Sequence, residues 1–219
     1  MVNSRLKYVL IFVAFMGMWS CALPVMRTKE VPASLIPLNT GVRDTSFLSN
    51  MEKEIIVELN SIRSDPKKYA DFLKDLRGSP QWGEGLQETI LFVEKVEPFQ
   101  PFKVSKGLSM AARDLVDDLG PEGLTGHTGK DGKSMFERMN SCGQLGGKFG
   151  EYLGYGFIEG AALVTQMAID EGVSGKKDQK YIFDKDLLVV GVACGPHRAY
   201  RTMCVVDFAG SYKEKLERQ

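Results

Sequence analysis

His127 stands in G-L-T-G-H-T-G-K-D-G-K-S (123 to 134), a loop whose glycines let the backbone turn tightly and leave the imidazole accessible. A histidine so placed is a candidate acid–base group or metal ligand; the plainer alternative is a surface ring satisfied by a carboxylate. Glu151 holds a similar glycine-flanked position in G-E-Y-L-G-Y-G (150 to 156). Asp170 and Glu171 end a helical pattern just before Gly172, and Asp178 lies in a Lys-rich loop where a solvated charge is the ordinary role. His197, in C-G-P-H-R, is most simply a hairpin-turn residue. No G-x-S-x-G and no H-E-x-x-H occurs, so no motif announces a nucleophile or a zinc protease. G-H-T-G-K-D-G-K-S lacks the spacing of a phosphate loop and the strand that should precede one.

Those residues need elements to position them. Ile55, Ile56, Leu59 and Ile62 fall on one helical face from Met51 onward. Asp65-Pro66 reads as an N-cap with proline at the first helical position, opening a second helix through Tyr69, Phe72 and Leu73 that Gly78-Ser79-Pro80 ends. A third helix is expected over residues 86 to 95. Ser105 caps a fourth, with Leu108, Ala112, Leu115 and Leu119 at helical spacing and Gly120-Pro121 as its stop. A short helix reaches Met139, and residues 160 to 170 form another. Residues 143 to 156 receive no element. The β-branched runs 187 to 194 and 203 to 208, separated by a turn with Gly195-Pro196, read as paired strands. Helices first and antiparallel strands last make an α+β domain.

The chain has 219 residues with 28 Lys+Arg against 28 Asp+Glu, 43% hydrophobic and 26% charged residues, which excludes bulk disorder. A formal charge of zero argues against a nucleic-acid partner and against broad attachment to an anionic membrane. Arg5 and Lys7 precede an apolar run from Tyr8 to Trp19 that is too short to span a bilayer, and small residues follow: the pattern of an export signal. Ser20-Cys21-Ala22 suits ordinary cleavage, whereas Met18-Trp19-Ser20-Cys21 resembles a loose lipobox that would acylate Cys21. An uncleaved anchor is the third alternative. Loss of Arg5 and Lys7 takes the 28 basic residues to 26 and leaves a mature chain near −2. The expected organisation is a signal peptide over 1–21, of ordinary or lipoprotein type, a proline-bearing linker over 22–48, one domain over 49–213 and a tail over 214–219. Outside the cytosol, Cys194 and Cys204 could pair across the expected hairpin; two thiols buried in a sheet are the alternative.

Five blocks carry a resemblance: residues 107 to 118, 123 to 134, 150 to 156, I-D-E-G-V (169 to 173) and 189 to 210 occur in the order seen in the CAP superfamily. This is the SCP domain of cysteine-rich secretory proteins, antigen 5 and plant pathogenesis-related proteins, and the chain is most similar to short microbial and protist members. N-S-I-R-S-D-P-K-K-Y-A (60 to 70) resembles their opening helices. The resemblance implies a three-layer α-β-α sandwich with a central antiparallel sheet. It also implies a cleft of two histidines and two acidic residues, which binds a divalent metal in several members. His127, Glu151 and Asp170 match three of these positions, with Tyr152 where the family has asparagine. The second histidine falls on Asp178. One imidazole with three carboxylates suits a harder cation than zinc, or Lys176 and Lys177 could pair with the carboxylates and leave no cofactor at all.

Three functions follow as expectations. The first is an exported, non-enzymatic module whose cleft (His127, Glu151, Asp170, Asp178, Tyr152) binds a lipid or sterol, a surface partner or a weak divalent cation. The second is a hydrolase or peptidase using His127 or Glu151 as general base on water. The third is a structural or adhesive envelope protein, tied to a membrane only through Cys21 or an uncleaved signal.

Overall fold

The computed structural model describes residues 45–79, 82, 85–169 and 181–215. The expected export signal, Cys21, Asp170 and Asp178 lie outside the described residues.

Several helices begin where a side chain can take up orphan N–H groups. Ser49 and Glu52 form a reciprocal capping box at the start of α1 (Asn50–Ser64), with the Ser49 N–H donating to Glu52 Oε2 at 2.6 Å. Asp65 accepts from the Lys68 N–H and Pro66 opens α2 (Pro66–Asp75). After α3 (Gly85–Val93) and the two-residue β1 (Lys103–Val104), Ser105 caps α4 (Lys106–Leu119). A second capping box, Ser134 with Glu137, opens α5 (Met135–Cys142). Then come β2 (Gly143–Tyr155), α6 (Gly160–Ile169), β3 (Val189–His197) and β4 (Arg201–Glu214).

The sheet order is β1-β3-β4-β2. Strands β3 and β4 are antiparallel, as expected; β2 adds to β4 antiparallel as well, but β1 joins β3 in parallel, which makes the sheet mixed. Alternate strand residues face opposite layers. Val190, Val192, Cys204, Val206, Phe208 and Tyr152 pack with α1, α2, α3 and α6 in the larger core. Ala193, Met203 and Val205 pack against Ala112, Leu115, Val116 and Leu119 of α4 on the other face. The result is an α+β three-layer sandwich. Gly191 lets α4 lie directly on the sheet, because a Cβ there would collide with the Leu108 backbone. Leu48, assigned to the linker by sequence, is buried in the larger core.

The 13-residue β2 was not anticipated. Five of its residues are glycine, which have low strand propensity, and pairing along β4 supplies the order that composition does not. Cys194 and Cys204 stand opposite each other in the β3–β4 register and form a disulfide, so the paired alternative holds; Cys142 is a free, half-buried thiol.

Buried polar side chains of α1 organise the first layer. Arg63 is fully buried and donates to four backbone carbonyls, Gln100 (2.8 Å), Ile182 (3.0 Å), Asp184 (3.0 Å) and Leu187 (3.1 Å), while its guanidinium lies over the Phe102 ring. Asn60 brackets the Phe102 backbone, donating to its carbonyl and accepting from its N–H. Beyond β1, the outer edge of β3 is met by side chains. Ser109 Oγ accepts from the Val192 N–H at 3.0 Å, Glu52 accepts from the Cys194 N–H at 2.7 Å, and Arg113 donates to the Cys194 carbonyl.

Candidate functional site

The loop between α4 and α5 carries His127, and fixed donors and acceptors hold it. The Leu124 N–H donates to the Leu119 carbonyl at 3.1 Å, which continues the end of α4. Two residues on, Gly126 turns with φ +123°, a conformation that favours glycine, and its N–H donates to the Tyr155 hydroxyl at 3.3 Å. Arg138 of α5 donates through Nη1 to the His127 carbonyl at 2.8 Å and to the Lys133 carbonyl at 3.3 Å. The loop is therefore tied to α4, β2 and α5 on both sides of the histidine.

His127 Nδ1 lies 2.8 Å from Glu151 Oε1. The Glu151 carboxylate is fully buried, while the His127 side chain keeps 58% of its surface. Arg138, itself buried, pairs through Nη2 with the other oxygen, Glu151 Oε2. A carboxylate held by a guanidinium accepts from the imidazole, so Nδ1 carries a hydrogen, and in the neutral ring Nε2 is then the acceptor.

Behind Glu151 stands Asp207, its cross-strand partner on β4, with Gly191 opposite on β3. Asp207 is completely buried, and neither carboxyl oxygen meets a donor among the described residues. Burial first, and then the neighbouring Glu151 charge, push its pKa far above the usual carboxylate range. Asp207 is thus the neutral acid of the pair, able to share its proton with Glu151. The Tyr155 phenol is also pushed up, chiefly by burial.

The structure joins His127 to Glu151, two of the residues singled out by sequence. Tyr152 faces the opposite way, as the next residue on a strand must, and is buried in the larger core. Chain order puts Asp170 directly after α6, and it lies with Asp178 outside the described residues. Among the described residues no three His, Cys, Asp or Glu side chains form a group able to hold a metal ion. Nor does any hydroxyl or thiol among them hydrogen-bond to the His127 ring. Chemically, the arrangement offers an outward imidazole nitrogen on a rigid anionic base: a hydrogen-bond acceptor, or a base for water.

Arg138 and Asp207 were missed by sequence reasoning. Arg138 carries no local signal. Asp207 carries one, a lone acid inside the apolar strand run C-V-V-D-F-A. Beside the charged group, on the same face of β2 and two residues from Glu151, Phe149 packs against Phe136 of α5 with ring centroids 5.7 Å apart, and both rings are exposed.

No family model and no curated protein matches the chain. Among solved structures it is similar to an outer surface protein of Borrelia burgdorferi, at 17% identity and a TM-score of 0.43, over 69% of this chain and 93% of that one. It is similar also to an extracellular protein containing an SCP domain from Bacillus anthracis, at 14% identity and 0.40, over 64% of this chain and 43% of that one. The third is a cysteine-rich secretory protein of Staphylococcus aureus, at 10% identity and 0.38, over 62% and 40%. Two of these three neighbours are SCP-domain or cysteine-rich secretory proteins. The chain spans less than half the length of each of those two. The described parts of the sequence blocks that resemble the CAP superfamily fall on α4, the His127 loop, β2, and β3 with β4.

Proposed function

We propose that the chain is an exported, non-enzymatic domain of the CAP type that binds a lipid-class, amphipathic ligand beside His127. The observation that carries this reading is the pairing of Glu151 with both His127 and Arg138. One carboxylate oxygen holds the ring and the other meets Arg138, which leaves Nε2 free of the carboxylate, and the exposed Phe136–Phe149 pair lies two residues along β2 from Glu151. One polar anchor beside an aromatic surface fits a ligand with a hydroxyl or headgroup and an apolar body. The sequence resemblance supports the same class. Export rests on the residue 1–21 pattern, with the domain over 49–213 following a linker over 22–48. No helix among the described residues is long and apolar enough to cross a membrane. Acylation at Cys21 would add an anchor and is read by mass spectrometry of the mature N-terminus.

In this reading the cleft works without a metal, because the Arg138 guanidinium already fills the cationic position at Glu151. The test is calorimetric titration with a sterol sulfate and with a short-chain phosphatidylcholine below its micelle concentration. Wild type should bind one of them, and His127→Ala and Phe149→Ser should each bind it roughly tenfold more weakly, about one lost hydrogen bond or buried ring edge. Equal binding by wild type and both variants, or none by wild type, overturns the reading. Sub-micromolar zinc binding that His127→Ala abolishes would instead establish a metal site. Peptide-library cleavage lost in the same variant would establish a hydrolase.

A further inference from the structure

His197 was read from sequence as a turn residue. It is almost completely buried, and each ring nitrogen has a separate task. Nδ1 lies 3.2 Å from the Ala199 N and 3.1 Å from the Tyr200 N, both backbone donors, so it must be the unprotonated acceptor that closes the β3–β4 hairpin. Nε2 therefore carries the hydrogen and donates to the Leu124 carbonyl at 2.8 Å, 73 residues away in sequence. The second bond is not needed by the hairpin. It ends three residues before His127, on the loop that carries the site.

The ring is fixed by more than these bonds. It stands edge-on to Tyr155 at 5.3 Å and lies against Tyr200 at 5.2 Å between centroids. Tyr155 is the same residue whose hydroxyl accepts from Gly126, one residue before His127. Two rings from the sheet, in edge contact with each other, thus grip the loop at Leu124 and at Gly126, while Arg138 grips the His127 carbonyl from α5. Gly126, with φ +123° and open space where a side chain would stand, would otherwise swivel freely. We propose that His197 is a positioning residue: through its Nε2–H bond to Leu124 it sets the loop so that the His127 ring meets Glu151 with Nδ1 and presents Nε2. This deepens the reading of His127 as the functional group, but its test involves no ligand.

Asparagine and glutamine separate the two tasks. An asparagine side chain reaches about as far as Nδ1 and can keep the hairpin acceptor; a glutamine reaches about as far as Nε2 and can keep the donor to Leu124. The readout is the His127 tautomer from two-bond ¹H–¹⁵N correlation of the rings near pH 8, with amide exchange at Gly126 and His127. In His197→Asn, His127 should pass from mainly Nδ1–H to the Nε2–H form that a freely rotating ring prefers, and the two amides should exchange roughly five- to tenfold faster. In His197→Gln, His127 should keep Nδ1–H even if the hairpin is weakened. A folded His197→Asn with an unchanged tautomer and unchanged exchange overturns the proposal, as does loss of Nδ1–H in His197→Gln. Should the asparagine variant fail to fold, the glutamine variant alone decides. Failure of lipid binding with these tautomers as expected would overturn the functional reading and leave the positioning role standing.

Discussion

Two guanidiniums are buried on opposite sides of one sheet. On the α1 side, Arg63 spends its donors on four backbone carbonyls and lies over an aromatic ring; nothing around it is left to react. On the α4 side, Arg138 neutralises one carboxylate of a pair, while that carboxylate also holds a histidine that is mostly exposed. Burial of charge is common to both. What separates them is the destination of the remaining capacity: backbone in the first case, solvent in the second. A buried charge that closes on the backbone marks architecture, and one that hands its orientation to an exposed titratable ring marks a site.

The largest effect should come from the closed cluster. Arg63→Ala removes the hydrogen bonds to Ile182, Asp184 and Leu187 at once and should cost on the order of 3–5 kcal/mol in urea unfolding. The His127 ring signals of whatever fraction stays folded should not change. If Arg63→Ala instead shifts those signals and leaves stability alone, the division between the two sides collapses.

Glu58 sharpens the contrast from the α1 side, since it is buried there with Oε1 unpartnered among the described residues. Burial pushes its carboxyl from 4.5 to about 7. A folded-state pKa above the unfolded one means that the native state holds the extra proton. The associated stability is complete below pH 4.5, falls as pH rises, and is gone above about pH 7. Roughly 3 kcal/mol should be lost across that window, and Glu58→Gln should flatten the profile. Chemical unfolding at several pH values measures both.

Within the open cluster the two acids should behave unlike each other. Glu151→Gln strands Arg138 without its counter-charge and should cost about 2–4 kcal/mol. Asp207→Asn replaces an already neutral group and should cost no more than about 1 kcal/mol near neutral pH. It should gain on wild type as pH rises, because ionising Asp207 in the fold is what the wild type must otherwise do. Equal losses for the two variants would mean that the proton is not on Asp207. Smallest of all, His127→Ala should alter stability by no more than about 0.5 kcal/mol, since the ring is largely exposed.

These differences explain what the sequence made legible. Helices α1, α2 and α4 announced themselves through apolar spacing and through Asp65 and Ser105, because caps and periodicity are local. Strands β3 and β4 showed in β-branched runs, though they extend to His197 and Glu214, beyond those runs. β2 was hidden, since five glycines carry no strand signal and its order comes from a partner about sixty residues away. His127 and Glu151 stood out by their glycine neighbours. Arg138 and Asp207 could not, because a helix-to-strand pair and a cross-strand pair leave no pattern along the chain. Pairing of Cys194 with Cys204 was open for the same reason, and register closed it.

The covered edge of β3 limits how this molecule can meet another. Ser109, Glu52 and Arg113 occupy the Val192 and Cys194 backbone groups that an incoming strand would need. A second copy or an extended peptide cannot lengthen the sheet there without first dislodging Glu52, which also caps α1. Lengthening the sheet on that side is therefore coupled to loss of half of the capping box that starts the first helix.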